Sequence, residues 1–454
     1  MDVKNKTVLV VGTGISGIGA VELLCKENAK PILFDANDKL KRDDIEKKLG
    51  LEGRADIILG EIPSTIEEKI ELVVISPGVP IDSPLVENFR NKQIPIWGEI
   101  ELAYQFSKGK ILAVTGTNGK TTTTSLLGEI MKDYYNSVYV VGNIGNPFTK
   151  IALETTEDSV IVAEISSFQL ETIHEFKPMV SAILNITPDH LNRHHTMENY
   201  IAVKETIAKN QTKKETCVLN YEDENTRAFG AQLGVRVIYF SSVRVLEKGI
   251  YTYEDDIYFA DGSMAPRKLI NIHDMKLIGQ HNVENVMAAI AMAVSFGVPI
   301  EDIIATVKKF KGVEHRIEYV ATKRGVAYYN DSKGTNPDAA IKGIRAMNRP
   351  TLLIGGGYDK ENEYDDWIEA FEGKVKWLIL IGQTRDKIAE CAKKHGYTNI
   401  IFAENLEEVI QICLEKSVSG DAVLLSPACA SWGMFPNYEI RGKMFKELVN
   451  NIKG

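Results

Sequence analysis

Three α/β domains, each on a mostly parallel sheet, are predicted by three features of the sequence. Its 454 residues suffice for about three domains of ordinary size. Short Val, Ile and Leu runs recur between stretches of helical periodicity, the pattern of buried parallel strands covered by helices. Two glycine-rich turns, at Gly12 and Gly116, each follow directly on such a run, where a strand hands over to a helix and phosphate can be held.

The elements follow in order. Thr7–Val11 is the first strand, and Gly12-Thr-Gly-Ile-Ser-Gly17 turns into the first helix; Pro31–Asp35 and Leu72–Ser76 are further strands, and the block closes near Trp97. This gives a Rossmann-like domain over residues 1–98. The second block opens with the run from Ile111 into Gly116-Thr-Asn-Gly-Lys-Thr121 and continues through Val138–Val141, Val160–Glu164 and Val180–Leu184. It ends after a helix whose Val283, Val286, Met287, Ile290 and Val294 share one face. That block, 99–312, is expected to be a P-loop ATPase-like domain. The third, 313–454, repeats strand and helix through Leu352–Ile354, Leu378–Ile381, Ile400–Phe402 and Val423–Leu425, and is again Rossmann-like.

Bulk properties narrow the function. The net charge of −9 argues against a nucleic-acid binder, which would carry a basic face. Five cysteines without a Cys-x-x-Cys pair fit a reducing compartment better than a disulfide framework or a zinc ribbon. No apolar run reaches the ~20 residues of a membrane span, and residues 1–6 lack a signal-peptide core. A cytoplasmic monomer acting on small molecules is expected.

The loop ending in Gly-Lys-Thr carries the strongest chemical signal. Gly116 and Gly119 let backbone N–H groups approach phosphate oxygens, Lys120 adds a point charge, and Thr121 offers a hydroxyl to Mg²⁺. The strict pattern asks for one more glycine, where Val114 stands. Gly12–Gly17 with Asp35 matches a dinucleotide fingerprint, which alone would read as an NAD-dependent oxidoreductase. It specifies only a nucleotide diphosphate at a helix N-terminus, and a redox enzyme has no evident use for the second loop. Glu164, at a strand end, is a candidate Mg²⁺ ligand; His190 is a candidate metal ligand or proton carrier, and Lys204 lies in a mostly apolar helical stretch.

Gly116–Thr121, Glu164-Ile-Ser-Ser167, Asp189-His190, His281-Asn-Val-Glu-Asn285, Glu314-His-Arg316 and Asn330-Asp-Ser-Lys-Gly-Thr-Asn-Pro337 together resemble the Mur ligases of peptidoglycan synthesis, in order and over essentially the whole chain. Leu425–Ser431 and Ser332–Thr335 are most similar to the branch of that family that adds D-glutamate. The resemblance implies an ATP-dependent amide ligase that activates the alanyl carboxylate of UDP-N-acetylmuramoyl-L-alanine as an acyl phosphate and couples it to D-glutamate. Relatives adding another amino acid remain an alternative, as does the NAD-dependent oxidoreductase.

Roles carry over by motif position. ATP is expected at Gly116, Thr117, Asn118, Gly119, Lys120, Thr121 and Thr122, with Asn285 and His315 near adenine, Asp331 at the ribose, and Lys120 and Arg316 on the migrating phosphoryl. Mg²⁺ is expected at Thr121, Glu164 and His190, and at Lys204 as a carbamate; Lys120, His190, Lys204 and Arg316 form the implied catalytic set. The UDP-substrate is expected at Ile15, Ser16, Asp35, Ser76, Gly78 and Asn143, and D-glutamate at Lys333, Thr335, Lys360, Ser431 and Tyr438.

Overall fold

A computed structural model describes residues 2–50 and 55–453. The chain forms three α/β domains on mostly parallel sheets. In the first, β1 (Thr7–Val11), β2 (Lys30–Asp35), β3 (Asp56–Leu59), β4 (Leu72–Ile75) and β5 (Ile96–Gly98) lie in the order β3-β2-β1-β4-β5, all parallel. Val8, Leu9 and Val10 are fully buried because helices cover both faces, which is why β1 reads as a continuous apolar run. The order of strands reverses between β1 and β4, so a crevice opens beyond their carboxyl ends.

The second sheet has nine strands: β6 (Lys110–Thr115), β7 (Val138–Gly142), β8 (Val160–Glu164), β9 (Val180–Ile183), β10 (Thr216–Asn220), β11 (Arg236–Ser241), β12 (Lys248–Tyr253), β13 (Asp256–Asp261) and β14 (Arg267–Asn271). Their order is β14-β13-β12-β11-β10-β9-β6-β8-β7, parallel from β7 to β12, with β13 antiparallel to β12. β6 lies between β8 and β9, so the phosphate loop emerges where the strand order switches. The third sheet runs β15 (Glu318–Lys323), β16 (Val326–Asn330), β20 (Ala422–Leu425), β17 (Thr351–Gly355), β18 (Val375–Leu380), β19 (Ile400–Phe402), parallel apart from the β15–β16 pair.

The chain falls into two compact units. One holds residues up to Ile270 with Glu284–Thr306 and carries the first two sheets; the other holds Asn271–Val283 and residues from Val307 onward and carries the third. Within the first unit one core runs through both sheets, joined by Trp97, Ile100 and Leu102 from one side and Phe148 and Ile151 from the other. The helix Ile15–Lys26 meets Pro147–Thr149 so closely that a Cβ at Gly19 would lie 2.7 Å from the Thr149 hydroxyl. Buried Glu99 secures that contact by accepting from Thr149 N (2.7 Å) and Oγ1 (2.9 Å). No helix among the described residues is long and apolar enough to cross a membrane.

Candidate active site

The phosphate loop is held on every side. Gly116 (φ 149°) and Gly119 (φ 85°) have backbone angles that L side chains rarely adopt. A Cβ at Gly119 would lie 2.1 Å from Asn285 Oδ1, so the buried Asn285 packs directly on the loop. Asn118 N donates to Asn185 Oδ1 (2.8 Å), and Thr117 Oγ1 meets Thr187 O and the Tyr200 hydroxyl, each at 3.1 Å. Lys120 begins the helix Lys120–Tyr134, and its Nζ donates to Gly116 O (2.8 Å) and Thr117 O (2.9 Å). Thr121 follows in the first turn, half-buried, and Thr122 is buried behind it.

Two acidic and basic groups converge here from separate elements. Glu164 ends β8 in register with Val114 of β6, which places it beside the loop. Its Oε1 accepts from Asn143 Nδ2 (2.8 Å), while Oε2 is buried without a hydrogen-bond partner. An orphaned buried carboxylate oxygen beside a phosphate loop is a donor suited to a hard cation. Lys204, on the helix Met197–Glu205, is 1% exposed; its Nζ donates to Gly116 O (2.9 Å), the carbonyl that Lys120 also uses, and sits 4.7 Å from the Tyr200 ring centre. Burial, and secondarily the charge of Lys120, pull its ammonium down from 10.5 to about 7.

His190 stands at the start of the short helix Leu191–His194 with φ 52°, half-exposed, 3.5 Å from Asp189 and against the Phe168 ring. Beside it lies a network the sequence reading does not name. Arg193 pairs with Glu171 (2.5 Å), donates to Val79 O (2.8 Å) and covers Phe168. His195 meets Asp82 at 3.0 Å. Val79 and Asp82 follow β4 of the first domain, so this network joins the loop after β4 to the segment carrying His190. His194 is buried between Ser167 Oγ (3.0 Å) and Glu171 (3.4 Å). Burial, then Arg193, lowers its imidazole to about 4, so it is neutral and its contact with Glu171 is no ion pair. The run His190-Leu-Asn-Arg-His-His195 was the available signal, but isolated side chains give no hint of partners more than 100 residues away.

In the first domain, Gly14 caps the helix Ile15–Lys26 with nothing within 4 Å of where its Cβ would stand, leaving room for phosphate. Gly17 allows close packing: a Cβ there would lie 1.9 Å from Gly12 O. Ile15 is exposed and Ser16 half-buried at the crevice. Asp35 accepts from Thr13 N (3.2 Å), Thr13 Oγ1 (2.8 Å) and Asn37 N (3.1 Å), fixing the turn after β1. Ser76 Oγ faces Gly12, buried without a hydrogen-bond partner, and Gly78 is exposed beyond it.

In the unit bearing the third sheet, the remaining residues gather at the carboxyl ends of β16, β20 and β17. Lys333 lies over the Tyr438 ring (5.8 Å) and Lys360 over Trp432 (4.5 Å), which in turn meets Tyr358. Thr335 is half-buried and Ser431 buried. Arg316 is exposed, in a turn flanked by His315 (φ 66°) and Ile317 (φ 45°). Asp331 holds that turn, accepting from Ile317 N (3.3 Å) and Ser426 Oγ (2.7 Å); burial raises its carboxyl to about 7. His315 is buried, its Nδ1 2.9 Å from Asn330 Nδ2. A second unanticipated residue is Arg441, 1% exposed, which donates from Nε to Ser332 Oγ (3.0 Å) and from Nη2 to Ser332 O (2.8 Å) and Cys429 O (3.3 Å). It ties the segment after β16 to that after β20. Its place in the polar-looking start of a helix disguises it as a surface cation.

Comparison with known proteins bears on this arrangement. The UDP-N-acetylmuramoylalanine--D-glutamate ligase of Lachnospira eligens is 61% identical over 100% of both chains, and those of Lachnoclostridium phytofermentans and Clostridioides difficile are 56% and 47% identical over the same span. Family models match in sequence: the Mur ligase MurD-like N-terminal domain over residues 6–98, the Mur ligase middle domain over 114–293, and the Mur ligase glutamate ligase domain over 315–429. The chain belongs to the Mur ligase family. Among solved structures, this Mur ligase has the fold of UDP-N-acetylmuramate-alanine ligase MurC from Thermotoga maritima, with TM-score 0.58 at 20% identity over 99% of this chain and 100% of that one. MurF ligase from Thermotoga maritima in complex with ADP gives 0.54 at 17% identity over 93% and 96%.

Proposed function

We propose that this Mur ligase uses ATP to join D-glutamate to UDP-N-acetylmuramoyl-L-alanine. The observation carrying the reading is 61% identity, over the whole of both chains, to a relative bearing that name. The oxidoreductase alternative has no such support.

A carboxylate does not condense with an amine in water, because its oxygen is a poor leaving group and its charge repels nucleophiles. Phosphoryl transfer from ATP to the alanyl carboxylate makes an acyl phosphate. The D-glutamate amine then attacks the acyl carbon, and the tetrahedral intermediate collapses to amide and inorganic phosphate. Charge neutralisation is the main task of such a site. Residues 116–122 would cradle the phosphates, with Asn285 and His315 toward adenine and Asp331 toward the ribose while bracing the Arg316 turn. Lys120 and Arg316 would hold the migrating group. Thr121, Glu164 and His190 fit Mg²⁺, since Glu164 keeps one buried oxygen unbonded; bound there, the ion would neutralise phosphate oxygens.

Lys204 fits carbamylation. Lowering to about 7 leaves much of its amine neutral near pH 7. The lone pair can then form the N–C bond to CO₂, the displaced N–H proton passes to water, and a cation becomes an anion beside the metal donors. Ile15, Ser16, Asp35, Ser76, Gly78 and Asn143 would bind the UDP-substrate, and Lys333, Thr335, Lys360, Ser431 and Tyr438 the carboxylates of D-glutamate. Domain limits of 1–98, 99–312 and 313–454, a monomeric state and a cytoplasmic workplace belong to the same proposal.

The test follows phosphate release with ATP, Mg²⁺, UDP-N-acetylmuramoyl-L-alanine and single amino acids. D-Glutamate alone is expected to drive it, with labelled oxygen passing from the alanyl carboxylate into phosphate. Lys120→Ala should lower kcat by about 10²–10³ or more. Release driven by another amino acid would move the chain to a different branch, and unlabelled phosphate would end the acyl-phosphate route.

A further inference from the structure

We propose that the third domain carries a binding site for a borderline-soft divalent ion, Zn²⁺ foremost, formed by Asp365, Cys391 and His395. The ligand atoms of these three side chains all lie within 4.8 Å of one another. None of the three is among the residues assigned above to substrate, nucleotide or Mg²⁺.

Local structure explains the convergence. Cys391 and His395 are four residues apart at the end of the helix Arg385–Lys394, and His395 N still donates to Cys391 O (3.2 Å), so both side chains project from one face. Asp365 opens the helix Asp365–Glu369, which packs beside it. Both helices are anchored in the same core, by Trp367 and Ile368 from one and Ile388, Ala389 and Ala392 from the other, so the ligand-bearing faces are held in place.

The donor set and its orientation suit the ion. His395 Nε2 points at Asp365 Oδ1 (2.8 Å), and the Cys391 sulfur lies within 4.8 Å of both ligand atoms. The other imidazole nitrogen, Nδ1, lies 3.7 Å from Glu369 Oε1. A ligating histidine almost always directs its second nitrogen to a carboxylate or carbonyl, and Glu369 stands where that orienting group belongs. Thiolate, imidazole and carboxylate together favour Zn²⁺ over the hard Mg²⁺ of the nucleotide site. Half-buried Cys391 forms the floor, while exposed Asp365 and His395 leave the outer side open for a water as fourth ligand. On binding, the S–H proton leaves to solvent and a sulfur–metal bond forms, clamping the two helices together.

Metal-free full-length protein titrated with Co²⁺ is expected to develop, at one equivalent, the thiolate-to-cobalt charge-transfer band and the visible bands of a tetrahedral site, with Zn²⁺ displacing them. Cys391→Ser should abolish the charge-transfer band and His395→Ala should weaken Co²⁺ binding, both with ligase turnover unchanged. Glu369→Gln should weaken Zn²⁺ binding by about 10–100-fold. Absence of the band in the wild-type protein, its persistence in Cys391→Ser, or unaltered affinity in His395→Ala would each overturn the site. Mg²⁺ cannot give a sulfur band, so the readout is independent of the nucleotide reading.

Discussion

Lys204 shows how one side chain's surroundings set its chemistry. It is a long cation, 1% exposed, whose Nζ donates to a carbonyl shared with another lysine. Burial therefore favours the neutral amine in the folded protein, at about 7 against 10.5 for a lysine in water. The sign of the linkage follows. Below about 7 the fold bears the burden of a buried charge, and stability rises as pH climbs from there toward 10.5, because the unfolded chain holds the proton longer. Lys204→Met should remove that rise in urea unfolding carried out at pH 7 and pH 9. In the wild type, carbamate detected by carbon NMR in labelled bicarbonate, and ligase activity with it, should fall as pH drops below about 7. A carbamate signal that survives in Lys204→Met would assign the modification elsewhere. Such behaviour was not legible in Tyr200-Ile-Ala-Val-Lys204 itself, since a lysine in that setting ordinarily reaches solvent.

Among elements, the strand-to-helix turns were the most readable parts of the chain, because each needs glycine for a reason that sequence alone expresses. Two of the three glycines of the first turn nevertheless do different work. Gly17→Ala would drive a Cβ to 1.9 Å from a backbone carbonyl, whereas at Gly14 nothing lies within 4 Å. Gly17→Ala is expected to cost about 1–3 kcal/mol or more in thermal unfolding. Gly14→Ala should stay within about 0.5 kcal/mol of the parent while raising KM for the UDP-substrate. Equal melting temperatures for the two variants would contradict the packing. Less was readable between Leu184 and Leu352, where seven strands, β10–β16, escaped the sequence reading. Strands toward the end of the sheet such as Asp256-Ile-Tyr-Phe-Ala-Asp261 are bounded by charge and partly exposed, so they lack the continuous apolar run that marked the buried ones.

Across the whole molecule, the sequence disclosed three sheets and the positions of their loops but not the ties between them. The Arg193–Glu171 pair, 12% and 3% exposed, fastens a loop of the first domain to the segment that presents His190. Arg193→Ala would leave Glu171 buried without its cation, a loss of about 3 kcal/mol, and should raise KM for the UDP-substrate more than for ATP. The double variant Arg193→Met, Glu171→Leu should recover most of the stability. If Arg193→Ala melts with the parent, the pair is not a tie. Partners separated by 22 and 114 residues leave no local pattern, so pairings of this kind stay invisible until the chain is folded.

Lys120 meanwhile holds two carbonyls of its own loop. On the proposed reading, an incoming triphosphate would trade places with those oxygens, so docking would be a swap between acceptors with modest net gain. In the proposed mechanism the attraction of the ammonium would thereby be conserved for the moment when negative charge spreads across the travelling group, when it would accelerate turnover instead of merely trapping nucleotide.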